Sequence, residues 1–95
     1  MTWPAPWHSI EAEPGSIVSM NRQLQRELSA GHPLHGLPVR AIGGRQDCDD
    51  VLFALDDNTG RVAVVHLTWA KSPQGFPWPA TDVFDSFAAW AVKGV

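Results

Sequence analysis

There is no tyrosine in this 95-residue chain, a single cysteine, and no apolar run that approaches the roughly 20 residues a membrane-spanning helix needs. The lone Cys48 excludes an internal disulfide and fits a reducing compartment. The opening residues MTWPAPWHSIEAEPG have neither the charge nor the apolar centre of a signal peptide, so a cytoplasmic location is expected, without membrane contact. Positive charge is scarce as well. Seven Lys and Arg stand against ten Asp and Glu for a net charge of −3. Arg22 and Arg26 share a helix face, while Arg40, Arg45, Arg61, Lys71 and Lys93 are scattered. Phosphate recognition needs concentrated cations, so nucleic acid is not an expected partner. The chain also lacks a Gly-rich phosphate loop, a nucleophile elbow and a paired-carboxylate motif, so no cofactor is expected and no reaction is announced.

What the chain does contain is a clear hairpin, VLFALDDNTGRVAVVHLTWA, Val51 to Ala70. Asp57-Asn58-Thr59-Gly60 offers an Asp that can cap a turn and a Gly that can take positive φ, the pattern of a three-residue loop pairing Asp57 with Arg61. In that register Leu55 faces Ala63, Phe53 faces Val65, Val51 faces Leu67 and Asp49 faces Trp69, which gathers the larger apolar residues on one side. The other side carries Leu52, Ala54, Asp56, Val62, Val64, His66 and Thr68, too apolar for open water. A helix, the N-terminal arm or a second copy of the chain must cover it. A domain this short buries only roughly 60–65% of its unfolded surface, so a partner copy would help it, and a homodimer is expected.

Around the hairpin, residues 1–14 hold Pro4, Pro6 and Pro14 beside Trp3 and Trp7 and read as a stiff extended arm rather than a helix or strand. Residues 15–95 read as one domain. Ile17, Met20, Leu24 and Leu28 recur at helical spacing from about Ser16 to Ala30, and Gly31 and Pro33 end that helix. Pro38 to Arg45 reads as a weak edge strand in which Gly43-Gly44 suggests a bulge or a close backbone approach. A closing helix is expected from about Thr81, its N-cap, with Val83, Phe84, Phe87, Trp90 and Ala91 on one side. The expected fold is α+β, a three-stranded antiparallel sheet in the order α-β-β-β-α, with both helices on the Val51, Phe53 and Leu55 side.

Four groupings could carry chemistry. His32 and His35, three residues apart, could join Cys48 and its acidic neighbours in a metal site, although a second paired-ligand motif is missing and a loop-shaping role is the simpler reading. Cys48 could pair with His66 or His35 as a nucleophile, but Asp47, Asp49 and Asp50 would raise its pKa and suppress the thiolate. His66, mid-strand on the second face, lies diagonally across from Asp50, which makes either a titratable pair in a cleft or a satisfied structural histidine. Finally, Trp3, Trp7, Trp69, Trp78 and Trp90, with Phe76, suit a recognition surface or a small core equally. Trp69 and Trp90 are expected in the core. The proline-flanked Trp3, Trp7 and Trp78 are candidates for partner contact, with Val62, Val64 and His66.

The segments GHPLHGLPVRA, DCDDVLFALDD, VAVVHLTW and WPATDVF resemble a family of small uncharacterised bacterial proteins sharing a GHPLxG loop, a DDVLF strand, a VHLTW strand and a WPxT tail, over about residues 24–90. The resemblance implies a compact bacterial domain, brings no established activity, and directs attention to His32, His35, Asp50, His66 and Trp69. The arm lies outside it. Two functions are compatible with the residues. One is a non-catalytic binding or assembly module that self-associates or takes a protein partner, in the manner of immunity or antitoxin-like proteins. The other is a small enzyme or ligand-binding protein using His66 and Asp50 in a cleft.

Overall fold

Five strands run as an uncrossed antiparallel meander in the computed structural model, which describes residues 3–45, 47–73, 75 and 78–93. Phe76 lies outside the described residues. In chain order the elements are β1 (Trp7–Ser9), α1 (Pro14–Glu27), β2 (Val39–Arg45), β3 (Asp50–Leu55), β4 (Val62–His66), β5 (Thr81–Phe84) and α2 (Phe87–Lys93). The α+β class is as expected, with a five-stranded sheet in place of three strands.

Both additional strands come from segments read otherwise. The arm contributes β1, which pairs Trp7 with Arg45 and Ser9 with Gly43, because its prolines at 4 and 6 precede the three residues that join the ladder. β2 is therefore an interior strand, not an edge. Its glycines serve as expected: the register with β3 shifts between Ala41 and Gly43, and a Cβ on Gly43 would overlap the Trp3 ring. At the other end, Thr81 to Phe84 pairs with β4 as β5, so Thr81 begins a strand and caps no helix. The cap of the short α2 is Ser86, whose Oγ accepts from the Ala89 N–H at 3.0 Å. β-branched Thr81 and Val83 alternating with Asp82 and Phe84 fit the pleat better than a first helical turn.

The hairpin register differs from expectation by two residues. Leu55 N–H donates to Arg61 O at 3.0 Å and Phe53 faces Ala63, so the loop spans residues 56–60, with Asn58 (φ 68°) and Gly60 (φ 74°) in the left-handed region. Asp57 organises the loop: its Oδ1 accepts from the Thr59 N–H, and its Oδ2 meets Arg61 Nη2 at 3.0 Å. A two-residue shift leaves every side chain on its expected face, since the strand period is 2. It also sets His66 directly opposite Asp50 rather than diagonal to it.

The sheet separates two cores. On one face α1 lays Leu24 and the following Leu28 over Val51, Phe53, Leu55, Ala63, Val65 and Leu67, with Ile17 and Met20 packed against them. On the other, Trp7 and Trp90 cover Ile42, Leu52 and Val62, with Trp3, Phe84 and Phe87 against them. Four edge-to-face ring pairs knit this second core, from Trp3–Phe87 at 5.0 Å to Trp3–Trp90 at 5.8 Å between centroids. The two helices thus lie on opposite faces rather than together. The apolar second face is covered by the arm and α2 of the same chain, which removes the reason for requiring a second copy there.

Candidate functional site

The side of the molecule where α1 meets the exit of β4 is organised by a buried carboxylate. Glu27 and Gln23 stand one turn apart beside the apolar stripe of α1, and both are buried. Glu27 Oε1 accepts from the Thr68 N–H at 2.8 Å and the Thr68 hydroxyl at 2.7 Å. Its Oε2 accepts from the Trp69 N–H at 2.9 Å and from Gln23 Nε2 at 2.7 Å. Gln23 Nε2 also donates to the Ala70 carbonyl at 2.8 Å. An isolated carboxylate in such a place would cost several kcal/mol, and four donors on its two oxygens are what make it tolerable.

These bonds hold Trp69 at φ 58°, a conformation that bulky residues rarely adopt and keep only where their surroundings over-determine it. The consequence is a side chain turned out of the core. Trp69 is 46% exposed, contrary to the expectation that it packs inside as Trp90 does. With φ positive at Trp69 the strand alternation stops at Leu67, so sheet parity no longer determines where the indole points.

Trp69 and Lys71 form one wall of an open groove of about 460 Å³, and Val18, Ser19, Arg22 and Arg26 of α1 form the other. Val18 is 53% exposed. Elsewhere, three arginines meet acids: Arg40 with Asp56 at 3.1 Å, Arg45 with Asp47 at 2.7 Å and Asp50 at 3.9 Å, Arg61 with Asp57 at 3.0 Å. Among the described residues, Arg22, Arg26 and Lys71 have no carboxylate partner. A second groove, also about 460 Å³, lies between Trp3, Phe87, Arg40 and Arg61, where both arginines are neutralised.

His66 belongs to a different feature, a row of side chains crossing four strands. The Arg45 guanidinium sits 5.8 Å from the centre of the Trp7 ring, Arg45 approaches Asp50, and Asp50 Oδ1 lies 2.8 Å from His66 Nδ1. Arg45 also grips Asp47 through two hydrogen bonds, which raise the arginine's pKa and lower that of the aspartate. The His66 side chain is 52% exposed and lines neither these grooves nor a smaller one of about 170 Å³ beside Asp50 and Cys48. The pair is open to solvent, and no wall of these grooves encloses a substrate against it.

His32 is buried and committed to structure. Its Nδ1 accepts from the Leu34 N–H at 3.1 Å, which leaves Nε2 to carry the proton and donate to the Pro79 carbonyl at 3.0 Å, with the Thr81 hydroxyl 3.2 Å away. This ties the GHPL loop to the WPAT segment. His35 and Cys48 are exposed, and among the described residues no group of three His, Cys, Asp or Glu side chains could hold a metal ion. His32, His35 and Cys48 are thus not brought together. Of the residues considered for partner contact, Trp7 and Val62 are buried, Trp3 and Val64 are half-buried in the second core, and Trp78 and His66 are exposed.

No family model, curated protein or solved structure matches the chain. No helix among the described residues is long and apolar enough to cross a membrane. Sequence reasoning noticed that Arg22 and Arg26 share a face but passed over Gln23 and Glu27, whose signal was their position one turn apart at the border of the apolar stripe.

Proposed function

We propose that the protein is a non-catalytic binding module that takes a protein partner on the side formed by α1 and the Trp69–Lys71 segment. The observation that carries this reading is Trp69, held half out of the surface in a left-handed conformation by a buried glutamate. Exposed tryptophan beside arginine is the composition of interface hot spots, and the unpaired cations beside it are free to meet a partner's charges. The exposed thiol of Cys48 suits a reducing environment, and a cytoplasmic location belongs to the same proposal.

The 2.8 Å contact between His66 and Asp50 supports a second reading, a small enzyme using that pair. The openness of the site favours the binding module. One experiment separates the two. Tagged wild-type protein, Trp69→Asn and His66→Gln are compared for proteins retained from the native host's extract and for turnover of a substrate panel. Asparagine enters the left-handed region readily, so Trp69→Asn removes the indole and keeps the backbone. A partner retained by wild type and His66→Gln but lost from Trp69→Asn is expected. Turnover by wild type that vanishes in His66→Gln would overturn the proposal.

A further inference from the structure

Helix α1 presents three stripes. Ile17, Met20 and Leu24 face the core, and Gln23 and Glu27 hold the exit of β4. The third stripe, Gly15, Val18, Ser19, Arg22 and Arg26, faces the open groove. It runs over twelve residues of helix, from Gly15 to Arg26, whose ends lie about 16 Å apart at 1.5 Å per residue, the length of about five residues of extended chain. The charge of this groove runs against that of the molecule. In a chain of net charge −3, the groove gathers Arg22, Arg26 and Lys71 with no acid among its lining residues. Ser19 and Gln23 add polar groups to the lining, and its apolar part is formed by the faces of Val18 and Trp69.

Resting on the binding-module reading above, we propose that this groove binds an acidic peptide segment of the partner, about five residues in extended conformation. Its carboxylates meet Arg22, Arg26 and Lys71, and one apolar side chain lies against Trp69 and Val18. Two arginines one turn apart and a lysine on the facing wall match carboxylates distributed along a strand. Three cations with one aromatic ring fall short of the basic track and repeated stacking platforms that single-stranded nucleic acid uses.

The test is calorimetric titration of the full chain with four probes: a pentapeptide of glutamates around a central leucine, its lysine counterpart, an oligothymidine of five nucleotides, and inorganic phosphate. The acidic peptide should bind best, and its affinity should fall roughly tenfold when salt is raised from low to high ionic strength. Arg22→Glu should weaken binding by roughly tenfold or more, since like charges then face each other. That variant keeps the helix, because a glutamate there stands one turn before Arg26, and an unchanged or raised Tm verifies this. Arg40→Ala, at the other groove, should bind as wild type does. Equal binding of the acidic and lysine peptides, tighter binding of oligothymidine or phosphate, or undiminished binding to Arg22→Glu would each overturn the inference. If the acidic peptide fails while Trp69→Asn still loses a captured partner, the ligand class falls and the module stands. If both fail, so does the module.

Discussion

Glu27 shows how one side chain can set the exposure of another. It was invisible as a functional residue because a glutamate near a helix C-terminus ordinarily faces water. Its burial follows only from the passage of Thr68 and Trp69 over α1, a contact between positions some forty residues apart in the chain. Glu27→Ala should cost about 3 kcal/mol or more, because it strands several donors at once. Glu27→Gln keeps the shape but only one accepting oxygen, so two of the four donors stay satisfied while the other two face an amide NH2, and it should cost less than Glu27→Ala. Urea unfolding of both variants measures the difference, and equal losses would show that the carboxylate's charge is what matters. His66 was legible in the opposite sense. Its pairing with Asp50 was expected from cross-strand distance and is found, closer than anticipated because the register differs by two.

Among the elements, the hairpin was the most readable, since alternation alone determines which face each residue takes. Its exact pairing was not, because Asp57 builds a wider loop through Thr59 and Arg61 than backbone turn rules suggest. The Thr59 hydroxyl, and after it Arg61, lowers the Asp57 pKa below the ordinary carboxylate range. A carboxylate whose pKa is lower in the folded state contributes stability above its unfolded pKa and loses it as pH falls through the folded value. Asp57→Asn should therefore be less stable than wild type near neutrality, and the gap in Tm should close as the pH is lowered below about 4. A gap that stays constant from pH 6 to pH 2 would show that the hydrogen bonds, not the charge, hold the turn. β1 and β5 were missed because three or four residues are too few for a period to register. Both acquire their strand character from the neighbour they pair with.

At the scale of the molecule, the two-faced sheet accounts for most of the stability. Phe53 and Trp90 are each fully buried, one in each core. Phe53→Ala should cost about 3–5 kcal/mol, a large part of the roughly 5–14 kcal/mol expected of a domain this size. Trp90→Ala should cost a similar amount if the second core is as integral as the first, and thermal denaturation of the two variants compares them. Because the arm and α2 already cover the face once expected to pair with another copy, light scattering at micromolar concentration should give a mass near 10.4 kDa. A mass of twice that would show the expected dimer, with its interface elsewhere than on Val62 and Val64.

The second core has a consequence for how the chain reaches this state. Its ring pairs join Trp3 and Trp7 to Phe87 and Trp90, so they connect nearly the first residues of the chain to nearly the last. A contact of such long sequence separation carries the full entropy of closing the loop between its partners, and it becomes favourable only after the intervening strands have shortened that loop. The meander from β2 to β4 and its cover by α1 can assemble from neighbours, whereas the aromatic cluster has to wait for a completed sheet to bring the ends together. Amide hydrogens in β1 and α2 should therefore be the last to gain protection during refolding and the first to lose it as denaturant is added, well before those of β3.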